Sequence, residues 1–381
     1  MIMRKLVSFC IVLVLFFTGL ANLFAQTNSK EIIYAGTSSA RGSKGIYVLE
    51  YDRSEGTMKE LQTVNEGTGP GFLAFSPDKK FLFSIYSKGT LNDGNGALMS
   101  FAIDPFTGFL KKLSEQSVGG KGPAHVSIDP LGRFAYVSNY GDASVTVFPI
   151  NSDGTLAKSS DYVKHTGSSI NTQRQTRPYP HSSIPSADGK FLYVSDLGTD
   201  KIVIYQVMEA GKLKPAEVPY ADVVPGSGPR HFKIHKNGKF AYSVDELSNT
   251  IVGFKVNKKN GALTIIERLS MLPEDFKEVS YASDVHFSPD QKFIYASNRG
   301  HESLVIFKVN PKNGRLTLVG HEPTGGKHPR NFMIDDEGKF ALVGNMNTDN
   351  VVIFDRDAKT GKLNPSGKQH TIPGITCLIQ Y

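Results

Sequence analysis

The chain has 381 residues, a formal net charge of +7 at pH 7 and two cysteines. This length exceeds that of an ordinary single hydrophobic core, which indicates either several domains or one large repetitive architecture. The charge is mild and contains no basic run, so nucleic acid is not expected as a partner, whereas an anionic small molecule is compatible with it.

The N-terminus has the composition of a secretory signal. Arg4 and Lys5 precede the apolar run VSFCIVLVLFFTGL, and the small residue Ala25 follows it. This order is typical of a signal peptide, and the run is too short for a membrane-spanning helix. We therefore expect residues 1–25 to be a cleaved signal peptide. Residues 26–381 would be exported to the periplasm or secreted, with no membrane association after cleavage.

Removal of this segment would change the cysteine count and the charge. Cys10 would be lost, which leaves Cys377 and no possible intramolecular disulfide. Loss of Arg4 and Lys5 lowers the formal charge from +7 to +5. Packing, without a covalent cross-link, must therefore stabilise the fold.

Six segments of the mature chain share one pattern. They read PDKKFLFSIY, PLGRFAYVSN, ADGKFLYVSD, KNGKFAYSVD, PDQKFIYASN and DEGKFALVGN, and their shared phenylalanines are Phe81, Phe134, Phe191, Phe240, Phe293 and Phe340. The spacings are 53, 57, 49, 53 and 47 residues, near the period of propeller blades. Each unit contains a tight hairpin followed by two further strand-like runs, which predicts a four-stranded antiparallel blade. We assign the shared phenylalanine to packing between blades.

The two chain ends supply a seventh blade. EIIYAGT, GIYVLEYD and MKELQTV near the N-terminus predict three strands, and PGITCLIQY at the C-terminus matches the innermost strand of the other units. Pairing of the two ends would satisfy strand edges that would otherwise be exposed. The predicted fold class is all-β: one seven-bladed β-propeller of four-stranded antiparallel blades over residues 26–381, with its ring closed by the N- and C-terminal strands.

Blade geometry should bring polar residues together at one mouth of the central channel. The innermost strand starts at this mouth and the second strand returns to it, so residues 14 to 16 positions apart should converge. The pairs are His125 with Asn139, His181 with Asp196, Arg230 with Glu246, Asp284 with Asn298 and Arg299, and Arg330 with Asn345. Burying charges without partners costs several kcal/mol each. This concentration therefore implies a ligand or a polar network.

Two interpretations of this cluster remain open. Propellers commonly line their channels with polar residues that hold ordered waters and cap strand ends. Asn139, Asn298 and Asn345 recur at one position of the repeat and are expected to be mainly structural. The histidines and arginines differ between blades, as in Ser-Asp-Val-His and Gly-Pro-Arg-His. This difference favours a functional role for them.

Common catalytic motifs are absent from the sequence. It contains no G-x-S-x-G, G-x-x-x-x-G-K-[ST], H-E-x-x-H or C-x-x-C pattern, which argues against a serine-hydrolase elbow, a P-loop, a zincin and a redox pair. Hydrolysis would then need an activated water, with a carboxylate or histidine as the base and arginines to stabilise an oxyanion. We predict no cofactor and no metal site. His321, His328 and His370 lie outside the repeat positions and are predicted to be surface loop residues.

Longer motifs resemble a known family. PYPHSS, GSGPRHFKIHKNGKFAYSVDE, YASDVHFSPDQKFIYASNRGHES and GKHPRNFMIDDEGKFALVGN are similar to segments of the bacterial lactonase propellers. The resemblance covers essentially the whole mature chain, and the family includes 6-phosphogluconolactonases of the propeller type and fungal carboxymuconate lactonizing enzymes. It implies hydrolysis of a sugar lactone, with a small anionic or polyhydroxylated lactone as the substrate.

The resemblance also implies site residues. A histidine, a glutamate and two arginines are the active-site groups of the fungal relatives, and the matching positions are His181, Glu246, Arg230 and Arg299. Arg330 is the alternative to Arg299. Either Glu246 or His181 would act as general base toward water, while the arginines bind an anionic group and stabilise the oxyanion. The predicted substrate-binding residues are His125, His231, Asp284, His286, Asn298 and Arg330.

The predicted export leaves the substrate and the reaction direction open. Because 6-phosphogluconolactone is formed in the cytoplasm, an exported relative is expected to meet a non-phosphorylated sugar lactone or another cyclic ester. Two other functions remain as alternatives: a non-enzymatic propeller that binds carbohydrate or protein, and a cycloisomerase that forms a lactone. An enclosed pocket around Glu246 and Arg230 would favour an enzyme, and a flat, wide face would favour a binding platform.

Overall fold

Seven four-stranded antiparallel sheets make up the described part of the chain. The structure is a computed structural model that describes residues 30–381, and the predicted signal peptide, residues 1–25, lies outside this range. The innermost strand of each sheet contacts the innermost strand of the next, and the last sheet contacts the first. The sheets therefore form a ring, and the predicted seven-bladed β-propeller is confirmed.

The blades are numbered from the one that holds the N-terminal strand. Blade 1 comprises β1 (Lys30–Thr37), β2 (Ile46–Asp52), β3 (Thr57–Val64) and the C-terminal β28 (Ile375–Gln380). Blades 2 and 3 comprise β4 (Thr68–Phe75), β5 (Phe81–Lys88), β6 (Ala97–Ile103) and β7 (Leu110–Ser117), then β8 (Pro123–Ile128), β9 (Phe134–Asn139), β10 (Ser144–Pro149) and β11 (Asp161–Lys164). Blades 4 and 5 comprise β12 (Pro180–Pro185), β13 (Phe191–Asp196), β14 (Lys201–Val207) and β15 (Leu213–Asp222), then β16 (Pro229–Ile234), β17 (Phe240–Asp245), β18 (Thr250–Val256) and β19 (Leu263–Ser270). Blades 6 and 7 comprise β20 (Tyr281–Phe287), β21 (Phe293–Arg299), β22 (Ser303–Val309) and β23 (Leu316–Pro323), then β24 (Pro329–Ile334), β25 (Phe340–Asn345), β26 (Asn350–Arg356) and β27 (Leu363–Thr371).

Helical structure is minor in residues 30–381. Three short 3-10 helices lie between strands, at Ser39–Arg41, Tyr140–Asp142 and Glu209–Gly211. Over this range, no helix has the length and apolar character needed to cross a membrane.

The ring closes through the two ends of the chain. β28 pairs antiparallel with β1, with Tyr34 opposite Ile379 and Gly36 opposite Cys377. Just outside the ladder, the Ser38 amide donates to the carbonyl oxygen of Gly374 at 2.7 Å. The predicted closure is therefore confirmed, and the C-terminal strand becomes the innermost strand of blade 1.

Neighbouring blades contact each other through a repeated aromatic and glycine pair. Phe191 of blade 4 packs against Gly261 in the outer turn of blade 5, where an added Cβ atom would lie 2.6 Å from the ring. Tyr193 donates its hydroxyl to the carbonyl oxygen of the same glycine at 3.0 Å. Gly261 has a φ of 75°, which favours glycine. Both the turn and the contact between blades therefore require glycine at this position.

This contact recurs around the ring. The equivalent phenylalanine and glycine pairs are Phe81 with Gly154, Phe134 with Gly211, Phe240 with Gly314 and Phe293 with Gly361. Burial of one such ring contributes about 1.5–3 kcal/mol. The predicted packing of the shared phenylalanine between blades agrees with these contacts. The aromatic side chains thus stabilise the propeller without a disulfide.

Truncation before β28 is expected to destabilise the entire ring. A chain that ends at Gly374 would leave β1 as an exposed edge and would lose the buried side chains of Ile375, Cys377 and Leu378. Because each contributes about 1.5–3 kcal/mol, we expect insoluble protein or an unfolding midpoint lowered by more than about 10 °C in thermal denaturation. The control Gln380→Ala keeps the strand and should lower the midpoint far less. An unchanged midpoint in the truncated chain would contradict the role of β28.

Candidate functional site

A bulge in the innermost strand of every blade positions the side chains at the channel mouth. At this bulge the pairing with the second strand shifts by one residue in each blade. A β-bulge leaves the extra residue unpaired and redirects its side chain. The extra residues in blades 1 to 5 and in blade 7 are Thr376, Gly71, Ala124, His181, Arg230 and Arg330. The large polar side chains therefore lie on one side of the ring, and small residues lie on the other.

Glu246 lies directly after β17 in blade 5. Its amide donates to the carbonyl oxygen of Gly228 at 2.7 Å, and its carbonyl oxygen accepts from the amide of Ala282 at 3.1 Å. These two bonds fix the backbone between blades 5 and 6. The Glu246 side chain is only 6% exposed, so the carboxylate is enclosed within the mouth.

Three arginines surround the Glu246 carboxylate. Nε of Arg230 lies 3.1 Å from Oε2, and the Arg299 guanidinium lies 2.8 Å from the same oxygen. Arg174 donates from Nη2 to Oε1 at 2.5 Å. The Nε–H of Arg230 does not point along the line to Oε2, so this contact is an ion pair and not a directed hydrogen bond. Arg230 directs a second nitrogen to the carbonyl oxygen of Ser283 at 2.6 Å.

These arginines control the protonation of Glu246. Burial alone would raise the pKa of Glu246, but the charges of Arg299 and Arg230, followed by that of Arg174, outweigh it and lower the pKa to about 2. The carboxylate therefore stays ionised above pH 3. Burial lowers the pKa of Arg230 well below its usual value, and repulsion from Arg299 and Arg330 adds to this effect. We treat Arg230 as a cation because guanidinium is intrinsically very basic and Glu246 lies beside it.

Positive charge is in excess at the mouth. Burial and then Arg299 lower the pKa of Arg330 to about 10, so this fourth arginine is also protonated at pH 7. Glu246 can balance only one of the four guanidinium groups. An anionic group bound here would reduce their mutual repulsion, which makes the mouth suited to a phosphate or a carboxylate.

Asp284 organises a second polar group in the channel. Its Oδ1 lies 2.7 Å from Nδ1 of His231, and its Oδ2 lies 2.8 Å from Nε2 of His286. Asn331 also donates its side-chain amide to Oδ2. Burial opposes the ionised form of Asp284, but His286 and His231 outweigh it and hold its pKa well below the usual value. A carboxylate on Nδ1 favours the tautomer of His231 in which Nε2 is an acceptor.

Three histidine rings lie close to one another, and the charge of Arg230 acts on His181 and His231. The ring of His231 lies 5.6 Å from that of His125 and 5.3 Å from that of His181. Nε2 of His231, Nδ1 of His125 and Nδ1 of His181 are buried and have no hydrogen-bond partner among residues 30–381. Buried polar atoms are normally paired. The hydrogen-bonding capacity of these three nitrogens is therefore unused within the described part of the protein.

Burial keeps these imidazoles neutral. It lowers the pKa of His231 to about 4, and the charge of Arg230 acts in the same direction. Burial and then Arg230 lower the pKa of His181 well below its usual value, and burial and then His231 do the same for His125. Neutral histidines can accept a proton, whereas imidazolium cannot.

The two candidates for the second arginine differ in their contact with Glu246. Arg299 contacts Glu246 directly and also donates to the carbonyl oxygen of Ala282 at 2.8 Å. Arg330 is partly exposed and acts on its neighbours through its charge. The pairing of Arg230 with Glu246, which the repeat spacing predicts, is confirmed by contact.

The other residues predicted to converge are not directly opposite each other in the strand register. The bulge inserts an unpaired residue after the first residues of the innermost strand, so the polar residue that ends the second strand faces a proline. The observed pairs are Asn139 with Pro123, Asp196 with Pro180 and Asn345 with Pro329. Asn298 faces Ala282 and donates to Met271 and Ser303. These bonds fit its expected structural role, and its contact with substrate stays a prediction.

Sequence reasoning missed two residues of the mouth. Arg174 lies in segment 165–179, the irregular connection between β11 and β12, and no repeat position identifies it. Tyr140 lies at the start of a 3-10 helix, with its ring 5.5 Å from that of His181. The length of the irregular segment was the available signal for Arg174, because long loops over a rigid scaffold often carry function.

The prediction that three histidines are loop residues is wrong for two of them, and only His328 lies in a loop, directly before β24. His321 and His370 lie in the outer strands β23 and β27, which extend further than the repeat indicates. Each is half-buried and contacts a backbone carbonyl, of Met271 and Gly56 respectively. His328 is also half-buried, and burial followed by repulsion from Arg299 lowers its pKa to about 4.

Carboxylates and imidazoles are not clustered as they are in a metal centre. Within residues 30–381, no three His, Cys, Asp or Glu side chains are arranged to hold a metal ion. The site consists of one carboxylate among arginines, with neutral histidines nearby.

Comparison with known proteins gives consistent results. A family model described as "Lactonase, 7-bladed beta-propeller" matches residues 32–380. A Formosa agariphila protein named 6-phosphogluconolactonase is 39% identical over 342 residues, covering 88% of this chain and 95% of the relative. A Bacillus subtilis protein of the same name is 33% identical, covering 92% and 98%. A solved structure of the Pseudomonas aeruginosa periplasmic gluconolactonase PpgL matches with a TM-score of 0.87 and 31% identity, covering 92% and 99%.

Stability is expected to fall as pH decreases from 7 to 4. The folded-state pKa of His231 is about 4 against an ordinary 6.5, so the unfolded chain binds more protons between these values and the native state loses stability as pH falls. Asp245 opposes this trend, because burial raises its pKa to about 7. In thermal denaturation, His231→Gln should reduce the decline of the midpoint between pH 7 and pH 4 by several degrees relative to the unmodified protein. An identical decline in both proteins would contradict the neutral buried state of His231.

Proposed function

This chain belongs to the lactonase family of seven-bladed β-propellers, and we propose that it is a carboxylic ester hydrolase that opens a sugar lactone at the mouth around Glu246. One observation carries the proposal: an enclosed carboxylate contacts three arginines, and neutral imidazoles with unpartnered nitrogens lie within reach of the Arg230 charge. Such a site can bind an anion, stabilise an oxyanion and accept a proton. The relatives named 6-phosphogluconolactonase and gluconolactonase support the same reaction.

His181 is the general base in this proposal. Both carboxylate oxygens of Glu246 already contact guanidinium groups, so this carboxylate is poorly placed to accept a proton from water. His181 is neutral, and its buried Nδ1 has no protein partner within residues 30–381. An oxyanion forming nearby would favour protonation of this imidazole. Glu246 would act as the counter-ion that positions Arg230 and Arg299.

The reaction then proceeds in two proton transfers. His181 removes a proton from water while the water oxygen forms a bond to the lactone carbonyl carbon, and the carbonyl π electrons move to oxygen. Arg230 and Arg299 stabilise this oxyanion. When the intermediate collapses, the ring carbon–oxygen bond breaks and the departing alkoxide takes the proton from His181. The product is the open hydroxy acid, and the imidazole returns to its neutral state.

His231 and His125 would orient the hydroxyl groups of the sugar ring. Asp284 holds His231 by Nδ1 at 2.7 Å, which leaves Nε2 to accept a hydroxyl proton. Phe72 lies against His125, with ring centroids 4.4 Å apart, and gives the chamber one apolar wall. His286 holds the other oxygen of Asp284 at 2.8 Å. His286 would therefore support the site through Asp284, without touching substrate.

Enclosure favours an enzyme over a binding platform. The side chains of Arg230, Glu246 and Arg299 are 2%, 6% and 8% exposed, so the reacting groups lie inside the mouth. A flat recognition face would expose them. Formation of a lactone would use the same groups in reverse, and the names of the relatives favour hydrolysis.

Export would place this activity outside the cytoplasm. The charged and apolar pattern of residues 1–25 supports a signal peptide, and the similar Pseudomonas aeruginosa gluconolactonase is periplasmic. The substrate would then be a sugar lactone or a related anionic cyclic ester in the periplasm or the medium.

Removal of the central charges is expected to abolish efficient lactone opening. Glu246→Gln leaves the arginines without their counter-ion, and Arg230→Ala removes an oxyanion partner, so each should lower kcat/KM by about 10²-fold or more. The assay is hydrolysis of 6-phosphogluconolactone, gluconolactone and muconolactone by mature protein, corrected for spontaneous opening. Arg133→Ala is the matched control, because Arg133 pairs with Asp129 in the hairpin turn at the far end of the strands. Absence of turnover on all three lactones by the unmodified protein would favour the non-enzymatic alternative.

Replacement of His181 separates the two candidate bases. His181→Asn should lower kcat by about 10²- to 10⁴-fold with a smaller change in KM, because the lost group acts on the proton and not on substrate affinity. In Glu246→Gln, the residual activity should keep the acidic limb of the kcat–pH profile, since that limb belongs to His181. Loss of this limb in Glu246→Gln, with His181→Asn still active, would assign the base to Glu246.

A further inference from the structure

Segment 165–179 is the longest connection between two strands in residues 30–381. It leaves the outer strand β11 of blade 3 and returns to the innermost strand β12 of blade 4. In between, it brings Arg174 to Glu246 of blade 5. The segment therefore adds a side chain to the mouth from outside the repeat.

The segment is fixed at both of its ends. His165 lies 2.6 Å from Asp196 through Nδ1 and 3.0 Å from the Tyr205 hydroxyl through Nε2. The amide of Tyr179 donates to the other oxygen of Asp196 at 2.8 Å. One buried carboxylate thus holds the beginning and the end of the segment. This arrangement reduces the freedom of the residues between them.

The middle of the segment is also held. Gln175 is fully buried and donates its side-chain amide to the carbonyl oxygen of Leu197 at 2.8 Å. Its side-chain oxygen accepts from the amide of Asn171 at 3.1 Å. Arg174 precedes this buried glutamine. Its backbone is therefore preorganised, which is the condition for a precise binding contact from a loop.

Arg174 differs from the other arginines around Glu246 in its exposure. Its side chain is 33% exposed, against 2% for Arg230 and 8% for Arg299. The guanidinium lies over the ring of Tyr281, 5.4 Å from its centroid. Nη2 donates to Glu246 and the Tyr140 hydroxyl also interacts with the guanidinium, but a guanidinium has five N–H donors. Arg174 can therefore contact an incoming group while it keeps its bond to Glu246.

We propose that Arg174 determines the preference of this enzyme for lactones that carry an anionic substituent, a phosphate or a carboxylate outside the reacting ester. The proposal rests on the proposed lactonase function and specifies its substrate class. Arg230 and Arg299 are buried against Glu246 and serve the reacting carbonyl. Arg174 is the most exposed of the three and can therefore meet a substituent of the lactone, and guanidinium binds such oxyanions in bidentate geometry.

The experiment compares charged and neutral lactones on the same variants. We would measure kcat and KM for 6-phosphogluconolactone, for muconolactone, which carries a carboxylate, and for neutral gluconolactone. Arg174→Ala should lower kcat/KM for the two anionic lactones, mostly through KM, by about 10- to 100-fold more than it lowers kcat/KM for gluconolactone. Arg174→Lys should restore part of the loss, because it returns the charge without the planar fork.

Arg177→Ala is the matched control from the same segment. Arg177 stacks on the Tyr179 ring at 4.6 Å and donates to the carbonyl oxygen of Gly141, so its loss tests general disturbance of the segment. Its kinetic constants should stay within about twofold of the unmodified protein for all three substrates, as expected for a surface substitution. A loss in Arg177→Ala equal to that in Arg174→Ala would overturn the assignment.

Failure of this proposal differs from failure of the proposed function. Equal losses for neutral and anionic lactones in Arg174→Ala, or no loss at all, would overturn the role of Arg174 while lactone hydrolysis stands. Calorimetry provides a readout without turnover: 6-phosphogluconate should bind the unmodified protein more tightly than gluconate, and Arg174→Ala should remove this difference. Equal binding of the two acids by the unmodified protein would overturn the proposal even if no lactone is hydrolysed.

Discussion

The contact between an aromatic side chain of one blade and a glycine of the next is the interaction on which this structure depends. Phe191 packs on Gly261 while Tyr193 bonds to the carbonyl oxygen of the same residue, and equivalent pairs recur around the ring. These contacts set the spacing between neighbouring blades. The innermost strands then present their first residues at one mouth, and this is why groups from blades 4 to 7 can meet there.

A single enclosed carboxylate organises the charged side chains of this mouth. The Glu246 carboxylate forms ion pairs with three arginines, and Arg330 adds a fourth cation nearby. Their charges hold Glu246 ionised, while burial keeps His181 and the histidines beside it neutral. Arginines that can stabilise a developing oxyanion thus lie near neutral histidines that can accept a proton. This combination suits the opening of an ester ring, in which both events occur together.

Irregular structure supplies what the repeat does not. All blades repeat one hydrogen-bonding scheme. A side chain that recognises a particular substrate must therefore come from a place where the chain departs from this repeat. Segment 165–179 is such a departure, and the buried Asp196 fixes both of its ends. In the same way, Asp284 supports His231 and His286 at the one blade where two residues together occupy the bulge. The side chains proposed to act on substrate thus lie where the chain departs locally from the repeat.

The sequence by itself determined the blade count, the closure of the ring and the meeting of Arg230 with Glu246. These follow from periodic strands, from the unmatched strands at the chain ends and from a spacing along one hairpin, all of which are local in the chain. Only the tertiary structure decided the bulge that shifts the neighbouring pairs by one residue, because hydrogen-bond register is not written in residue type. It also decided that Arg174, 72 positions from Glu246, is its partner. Contacts across blades and the protonation states that burial imposes depend on the closed ring, which no local pattern contains.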